Sequence, residues 1–231
     1  MASASYLAHA GLAYANPISE AAVDEAIALL PLPADARVLD SGCGSGEMLL
    51  RVLRQHRGAS GLGVDLDADA IDAARQRTGI VPARFEVRDA STVAGPFDAV
   101  LNIGASHAHG GFPAALTALR RLAPVVVYGE GFWQRRPSDD FLAALGGARV
   151  DELSDLDGLR LAATRAGFDV RRVWVASEED WARYEGTLAA NAERHATPET
   201  LAYAKRIRDR RALPHGAETL GFALLLGEAV D

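Results

Sequence analysis

Three glycines in alternate positions follow a short apolar run near residue 40, and this spacing suits a loop that binds a ligand through its backbone. The run Val38-Leu-Asp40-Ser leads into Gly42-Cys43-Gly44-Ser-Gly46-Glu47. Glycine adopts positive φ angles at little cost and lets a ligand approach the main chain closely. Because an apolar run precedes the loop and a helical pattern follows it, the sequence predicts a strand, a tight turn and a helix.

The residue after the third glycine bears on the kind of ligand. A dinucleotide loop has the spacing G-x-G-x-x-G, which would place its last glycine where this chain has Glu47. A carboxylate at a helix N-terminus also competes with the pyrophosphate that binds there in dinucleotide folds. A nucleoside without phosphates is therefore favoured, and a nicotinamide-dependent oxidoreductase is the weaker alternative.

Three aspartates stand where such a nucleoside needs polar partners. Asp65 ends the second predicted strand, where a carboxylate accepts hydrogen bonds from both ribose hydroxyls, and Asp89 follows the third, near an adenine amino group. Asp40 precedes the glycines and faces a cationic part of the ligand. The carboxyl ends of successive parallel strands border one crevice, where ligands bind in such sheets. Each aspartate alone is equally typical of a turn or a helix cap.

Apolar runs and helical segments alternate along the rest of the chain. The predicted strands are residues 37–40, 61–65, 84–88, 97–101, 125–128, 168–176 and 219–226, and the predicted helices are 19–30, 47–57, 68–78, 113–122 and 156–166. Alternation of this kind indicates parallel strands joined by helical crossovers, with both faces of the sheet covered. The sequence therefore predicts an α/β fold with a doubly wound sheet.

Two segments stand outside this alternation. Residues 1–34 are predicted to form an N-terminal lid or helical segment, and residues 35–231 the main domain. Within the main domain, residues 178–214 are polar and predict a helical insertion of two helices, the second capped by Thr197 with Pro198 after it. The insertion is either a substrate cap or a packing element, and the sequence leaves both open.

Four stretches of the chain resemble the successive motifs of class I S-adenosylmethionine-dependent methyltransferases. They are Val38 to Glu47, Gly63-Val-Asp-Leu-Asp67, Arg88-Asp-Ala90 and Phe97-Asp-Ala-Val-Leu-Asn102, within about residues 35–130. The resemblance implies a Rossmann-like, seven-stranded sheet whose last strand, residues 219–226, is antiparallel. It also implies an enzyme whose cofactor is S-adenosylmethionine and whose product is S-adenosylhomocysteine.

The resemblance also assigns roles to individual residues. Asp40 and the loop from Gly42 through Cys43 and Gly44 to Gly46 would contact the methionine part and the ribose. Asp65 would hold the ribose hydroxyls. The adenine would lie against Leu66 and meet Asp89 and Ala90 at its edge, and Asn102 would lie beside the sulfonium. Cys43 is interpreted as a small residue that fills the loop rather than as a nucleophile.

Methyl transfer from a sulfonium is an in-line displacement with an activated donor, so the enzyme mainly orients the acceptor and removes a proton. His107 is the first candidate for a general base, because it follows the fourth strand and imidazole titrates near neutral pH; His109 is the second. Glu130, at the end of the fifth strand, is a third candidate. Their alternative role is to cap or brace the loops. No metal site is predicted, because no carboxylate or second cysteine completes the histidine pair.

Aromatic residues outside the glycine loop are candidates for contacts with the acceptor. Trp133, Trp181 and Tyr184 offer broad apolar surfaces with one polar atom each. His9 and Tyr14 lie in the N-terminal segment that is predicted to close over the site. For each residue taken singly, a role in packing is the alternative.

Composition limits the partners. The chain has 231 residues, 49% hydrophobic and 24% charged, with a net charge of −7. A nucleic acid acceptor is disfavoured, because basic residues are spread along the chain apart from short clusters such as the one at positions 206–211. One cysteine excludes an internal disulfide, and neither a signal peptide nor a membrane-spanning run is recognised, so a cytoplasmic location is predicted. The oligomeric state is left open.

The leading hypothesis is methyl transfer to an oxygen, nitrogen or carbon atom of a small molecule. A methyltransferase acting on RNA or protein is the second, supported by the basic cluster; the Asn-Pro-Pro-Tyr type of motif seen in amino-group nucleic acid methyltransferases is absent after the fourth strand. A non-catalytic module that binds S-adenosylmethionine is the third.

Overall fold

The computed structural model describes residues 4–230, apart from the side chains of residues 5 and 6. Residues 1–3, at the start of the predicted N-terminal segment, lie outside the described residues. Residue 231, the last residue of the predicted main domain, also lies outside them. The strands are β1 (Arg37–Ser41), β2 (Ser60–Asp65), β3 (Ala83–Val87), β4 (Ala99–Ile103), β5 (Val125–Trp133), β6 (Phe168–Val175) and β7 (Leu220–Ala229).

Helices cover most of the remaining chain. They are α1 (Ala4–Ala8), α2 (Glu20–Ala28), α3 (Glu47–Gln55), α4 (Ala68–Arg77), α5 (Ala114–Arg120), α6 (Asp139–Ala144), α7 (Leu156–Arg165), α8 (Glu178–His195), α9 (Pro198–Ala212) and α10 (Gly216–Thr219). Short 3-10 helices occur at Ala90–Thr92, Ser106–His109 and Val150–Glu152. None of the helices within residues 4–230 combines the length and apolar character needed to cross a membrane.

The seven strands form one sheet in the order β3-β2-β1-β4-β5-β7-β6, with β7 antiparallel. The predicted α/β fold, with a doubly wound sheet and an antiparallel last strand, is confirmed. Strands β2 and β3 follow β1 on one side of it in the sheet, and β4 lies on the other side of β1. Ligands bind at such a reversal of strand order, so the loops after β1 and β4 flank the expected crevice.

The central strands are apolar because helices cover both of their faces. Four of the five residues of β1 are buried, and β5 is buried from Val125 to Glu130. Strands buried on both faces have near-continuous apolar sequences rather than alternating ones. In the parallel register Asp40 pairs with Leu101, and Asn102 pairs with Tyr128. This register aligns the polar residues at the carboxyl ends of β1, β4 and β5.

Strand β5 is longer than the sequence predicts. It continues to Trp133 instead of ending at residue 128, so Glu130 lies within the strand rather than at its end. A Cβ atom at Gly131 would lie 3.3 Å from the side chain of Leu153, so glycine here allows close packing within a strand. Helix α6 and the 3-10 helices were not predicted.

The chain divides into two compact units. The sheet unit comprises residues 20–130 and 157–174 and the segment from Ala223 onward. The helical unit comprises the segment up to Ser19 and residues 131–156 and 175–222. Helix α1 packs on α8 and α9 through Ala8, Leu188 and Ala204. The division at residues 34 and 35 and the role of the 178–214 insertion stay predictions.

Candidate active site

The glycine loop turns sharply between β1 and α3. Gly42, Gly44 and Gly46 have φ angles of 79°, 50° and 77°. A Cβ atom at Gly42 would lie 2.3 Å from the Cβ of Ala105, so the loop after β4 packs directly on this turn. A Cβ atom at Gly44 would meet no heavy atom within 4 Å, so the main chain borders open space there. Gly44 is therefore the point at which a ligand can approach the backbone.

Cys43 is buried inside this loop. Its Sγ lies 3.6 Å from the carbonyl oxygen of Gly44. Burial, together with the negative charges of Asp40 and Asp65, raises the pKa of the thiol far above its usual range. A thiol that stays protonated is a poor nucleophile, which supports the interpretation of Cys43 as a loop-filling residue.

Asp40 is a buried carboxylate at the end of β1. Its side chain is 2% exposed, and Oδ2 has no hydrogen-bond partner among the described residues. Burial, with a smaller contribution from the charge of Asp65, raises the pKa of Asp40 to about 7, although the backbone N–H of Leu49 opposes the shift. A buried ionised group is costly unless it is paired. A cationic ligand group would supply the missing partner.

Asp65 holds the glycine loop against the end of β2. Its Oδ2 accepts a hydrogen bond of 2.8 Å from the backbone N–H of Gly44, and its Oδ1 accepts one of 3.0 Å from Asp67. Each carboxylate oxygen has two lone pairs, so each keeps one for a ligand hydroxyl. Leu66, the next residue, is 71% exposed and presents an apolar side chain beside this carboxylate.

Asp89 and Ala90 follow β3. Asp89 is exposed and caps the short 3-10 helix, with Oδ1 accepting from the hydroxyl and the backbone N–H of Ser91 at 2.7 and 2.9 Å. The hydrogen bond from the Ser91 hydroxyl is the main cause that lowers the pKa of Asp89. Ala90 is buried. The structure thus shows Asp89 as a cap, and a contact with adenine stays a prediction.

Asn102 is fully buried and joins the two loops. Its Nδ2 donates to the carbonyl oxygens of Ser41 at 2.9 Å and Ala105 at 3.3 Å. Its Oδ1 has no hydrogen-bond partner among the described residues. The amide nitrogen therefore fixes the end of β1 to the turn after β4, and the predicted position beside the sulfonium stays a prediction.

The two candidate histidines lie on the 3-10 helix after β4 in different surroundings. His109 is half-buried, and its Nε2 lies 2.7 Å from the hydroxyl of Ser41. Burial lowers the pKa of His109, and the charge of Asp89 opposes the shift. His107 is exposed. The structure therefore places His109, rather than the first candidate His107, against the end of β1.

Glu130 forms a buried polar pair with a residue that the sequence analysis did not single out. The hydroxyl of Tyr128 donates to Oε2 of Glu130 at 3.0 Å, and both side chains are buried. Ser106 also hydrogen-bonds the Tyr128 hydroxyl. Burial and the charge of Glu130 raise the pKa of Tyr128 well above its usual range. The alternation Tyr128-Gly-Glu130, which puts both side chains on one face of a strand, was the available signal.

The predicted acceptor-binding residues all belong to the helical unit. Nε2 of His9 lies 2.9 Å from the hydroxyl of Tyr184, which donates to the carbonyl oxygen of Ala15 at 3.0 Å. Tyr14 precedes Ala15 and is half-buried. The rings of Trp181 and Tyr184 meet edge to face with centroids 6.1 Å apart. The N-terminal segment is thus tied to helix α8.

Trp133 lies apart from that cluster. Its Nε1 donates to the carbonyl oxygen of Val150 at 2.9 Å, and its ring meets Phe141 edge to face at 6.4 Å. The side chain is 8% exposed. These contacts are those of a packing residue in the helical unit, and a contact with the acceptor stays a prediction.

Glu47 occupies the N-terminus of α3, as predicted from the sequence. Its carboxylate pairs with Arg51 at 2.8 Å and also with Arg77, and its side chain is 9% exposed. Arg77 in addition donates to the carbonyl oxygen of Ser45 at 3.3 Å. A paired carboxylate at this position takes the place that a pyrophosphate would need. The loop therefore favours a ligand without a diphosphate.

These residues define what the edge of the sheet can bind. The main chain borders open space at Gly44, the carboxylate of Asp65 has lone pairs left for hydroxyls, and Oδ2 of the buried Asp40 has no hydrogen-bond partner among the described residues. A nucleoside that carries two hydroxyls and a positive charge, such as S-adenosylmethionine, fits these three features.

Comparison with known proteins also indicates a methyltransferase. The family model described as a methyltransferase domain matches residues 38–129. The Escherichia coli protein YjhP is 30% identical over 180 residues, which cover 74% of this chain and 72% of that protein. The crystal structure of YjhP superposes with a TM-score of 0.87 at 25% identity and covers 98% of this chain and 99% of that one.

Three further comparisons concern the cofactor and the acceptor. A methyltransferase from Geobacter sulfurreducens, crystallised with S-adenosylhomocysteine, has a TM-score of 0.85 at 25% identity and covers 97% of this chain and 96% of that one. The fatty-acid O-methyltransferase of Mycolicibacterium smegmatis is 38% identical over 89 residues, 37% of this chain and 32% of that protein. A release factor glutamine methyltransferase of Rhodospirillum rubrum is 37% identical over 92 residues, 38% of this chain and 28% of that protein. The chain thus spans about a third of the length of these last two proteins.

The chain belongs to the class I S-adenosylmethionine-dependent methyltransferases. It is an enzyme, and its cofactor is S-adenosylmethionine. When bound, this cofactor supplies a methyl group that a positively charged sulfur has already activated. The residues that hold it, described above, are assigned by geometry and resemblance and remain predictions.

Proposed function

We propose that this methyltransferase acts on a small molecule and that His109 takes the proton from the atom that becomes methylated. A small acceptor is supported by the match to a fatty-acid O-methyltransferase and by the net charge of −7, which repels nucleic acids. A protein acceptor is the second candidate, because a release factor glutamine methyltransferase matches over a similar length. The predicted cytoplasmic location stays a prediction.

The basic cluster at residues 206–211 gives little support to an RNA acceptor. Arg208 pairs with Glu193, and Arg210 and Arg211 both pair with Glu185. Guanidinium groups that already have carboxylate partners contribute less to binding phosphates than free ones do. The cluster is therefore not a continuous basic face of the kind that binds nucleic acids.

The observation that carries the proposal is the position of His109. Its ring lies against the hydroxyl of Ser41. Ser41 ends β1, directly after Asp40 and directly before the glycine loop. Burial lowers its pKa, so the imidazole is neutral at physiological pH and one ring nitrogen can accept a proton.

The size of the acceptor is tested with S-adenosylmethionine carrying a tritiated methyl group. The protein is incubated with a bacterial extract that has been separated by ultrafiltration into a macromolecular fraction and a small-molecule filtrate. We expect label to enter a compound of the filtrate. Label that enters only the macromolecular fraction, and that protease or ribonuclease releases, would contradict a small acceptor. An absence of transfer to either fraction would also contradict the proposed small acceptor.

Replacing His109 by glutamine is expected to lower the turnover of that labelled compound by roughly 10² to 10⁴, the range for the loss of a general base. The affinity for S-adenosylhomocysteine should stay within about twofold. In the wild type the rate should fall as the pH is lowered through the depressed pKa of His109, because protonation removes the base. Initial rates measure the turnover and its pH dependence, and calorimetry measures the affinity for S-adenosylhomocysteine.

The matched control is His107→Gln, which changes an exposed histidine two residues away on the same 3-10 helix. This variant should keep the rate and pH profile of the wild type. A rate that drops with His107→Gln and persists with His109→Gln would reassign the base to His107.

A further inference from the structure

The helical unit contains a cavity that no part of the proposed chemistry uses. It has a volume of about 330 Å³, and its lining includes Trp181, Glu185, Tyr203, Arg206 and Arg210. Sites for small molecules have volumes from about 300 to 1,000 Å³ and are mostly apolar with a few polar groups. The cavity falls at the lower end of that range and has that kind of lining.

The cavity wall and its ion-pair partners carry more positive than negative charge. Glu185 is 4% exposed, and its carboxylate pairs with both Arg210 and Arg211. Arg206, one helical turn before Arg210, lines the same cavity and makes no ion pair with a carboxylate among the described residues. The lining residues and their ion-pair partners thus comprise three guanidinium groups and one carboxylate. This local positive excess occurs in a chain whose net charge is −7.

The electrostatics of Arg210 agree with this excess. Burial, together with the positive charge of Arg211, lowers the pKa of the Arg210 guanidinium to about 10. The group stays charged at neutral pH and lies over the ring of Phe141 at 5.6 Å. Arg206 lies over the ring of Tyr203 at 5.6 Å, so its guanidinium is held beside the cavity by an aromatic ring.

The apolar part of the lining is aromatic and aliphatic. The rings of Trp181, Tyr184 and Tyr203 share the wall with Leu188 and Ile207. The hydroxyl of Tyr184 is already engaged with His9 and Ala15, so the ring is its contribution to the cavity. Such a wall accommodates the body of an apolar molecule, and a guanidinium at its edge accommodates one negative group.

We propose that this cavity binds a small apolar carboxylate, such as an aryl-alkanoate or a medium-chain fatty acid, with its carboxylate on Arg206 and its apolar body against the rings of Trp181 and Tyr203. Guanidinium groups pair well with carboxylates because both groups are planar and can form two parallel hydrogen bonds. The site lies wholly within the helical unit. The proposal concerns binding and does not depend on whether the bound molecule is methylated.

The test uses matched ligands that differ only in charge. Calorimetry is performed on the full chain with 3-phenylpropionate and octanoate, and with their primary amides. We expect both carboxylates to bind and the amides to bind about tenfold more weakly or not at all, since a neutral amide cannot form charge-assisted hydrogen bonds with a guanidinium group. Equal binding of acids and amides, or no binding of either, would overturn the proposal.

Arg206→Gln is the informative variant, because Arg206 is exposed and its loss should not disturb folding. It should weaken carboxylate binding roughly tenfold and leave amide binding unchanged. Arg208→Gln is the matched control, since Arg208 lies on the same helix, pairs with Glu193 and does not line the cavity. Equal effects of the two substitutions would show a nonspecific charge effect and overturn the assignment of Arg206.

Affinity for S-adenosylhomocysteine is measured in the same samples to separate the two proposals. Arg206→Gln should leave it unchanged. If carboxylates fail to bind while S-adenosylhomocysteine still binds, the cavity assignment is wrong and the cofactor assignment stands. If the filtrate yields no acceptor while carboxylates bind with the expected dependence on Arg206, the proposed function is wrong and the cavity assignment stands.

Discussion

Replacing Asp40 by asparagine is expected to weaken the binding of S-adenosylhomocysteine about 10- to 100-fold, because hydrogen bonds to charged groups are worth about 1.5–3 kcal/mol. The carboxylate is 2% exposed, and its Oδ2 has no partner among the described residues. The ammonium group of the ligand is the cation that we expect to pair with it. Asparagine keeps the shape of the side chain and removes the charge.

The binding of S-adenosylhomocysteine should also depend on pH through this residue. The pKa of Asp40 is raised from 3.8 to about 7, so the carboxyl group is protonated below that pH and cannot pair with the ammonium group. Affinity in the wild type should therefore rise between pH 6 and pH 8. In Asp40→Asn the affinity should be nearly constant over that interval. Calorimetry at pH 6 and at pH 8 measures the affinity of the wild type and of Asp40→Asn.

The free energy of unfolding should depend on pH in the opposite sense to the affinity for S-adenosylhomocysteine: it should fall as the pH rises. The folded state holds the proton of Asp40 more tightly than the unfolded state does, because its pKa is raised from 3.8 to about 7. Ionisation of this group therefore lowers the free energy of unfolding as the pH rises from about 4 to about 8. Asp40→Asn should lose this dependence, so urea denaturation at pH 8 should show the variant to be at least as stable as the wild type.

The control for this substitution is Asp98→Asn. Asp98 lies just before β4, where its Oδ2 accepts a hydrogen bond of 2.7 Å from the backbone N–H of Arg37 at the start of β1. It is thus at the amino end of the strands, away from the glycine loop. Asp98→Asn should leave the binding of S-adenosylhomocysteine unchanged. If Asp40→Asn binds as tightly as the wild type at both pH values, the buried carboxylate does not face the ligand.

Replacing Asp65 by alanine is expected to cost on the order of 1–3 kcal/mol of affinity for S-adenosylhomocysteine, because two ribose hydroxyls lose their acceptor. The substitution also removes the acceptor of the Gly44 N–H and so loosens the glycine loop. The variant should show the loss with 5′-methylthioadenosine too, since that nucleoside keeps the ribose. Calorimetry with both ligands measures the effect.

The two ligands distinguish the roles of the two aspartates. 5′-Methylthioadenosine lacks the amino acid part, so Asp40→Asn should leave its binding nearly unchanged, whereas Asp65→Ala should weaken it. Asp67→Ala is the control for Asp65, because Asp67 caps helix α4 by accepting from Asp69 and Ala70. Loss of this cap should lower the free energy of unfolding by about 1 kcal/mol and leave affinity intact. Unaltered affinity in Asp65→Ala would show that Asp65 is misassigned.

The glycine loop and its aspartates could be predicted from the sequence because their geometry is local. The alternate glycines require positive φ angles, and the structure has them at all three positions. The parallel direction of the strands was predictable for a similar reason: helices between apolar runs leave parallel strands as the simple connection. Asp65 lies at a strand end because the apolar pattern stops there.

Contacts between distant parts of the chain were not predictable. Tyr128 was read as one more apolar residue of a buried strand, yet its hydroxyl contacts both Glu130 and Ser106. His109 was ranked second because only the folded chain brings it to Ser41, 68 positions away in sequence. The ends of β1 and β4 meet through strand pairing, which a single sequence does not reveal.

The run of arginines on α9 was misleading for a related reason. In the sequence, residues 206–211 form a basic cluster that contains a single acid, Asp209. In the structure, their carboxylate partners Glu185 and Glu193 come from the neighbouring helix α8. Helix pairing therefore neutralises most of the cluster and leaves Arg206 at the cavity.

A crystal structure of the protein with S-adenosylhomocysteine tests the central claim most directly. The account predicts that both ribose hydroxyls lie within hydrogen-bond distance of the Asp65 carboxylate. It also predicts that the ligand ammonium group contacts Asp40 and that the ligand passes over the backbone of Gly44. A nucleoside bound elsewhere, with Asp40 and Asp65 touching none of its atoms, would contradict the account.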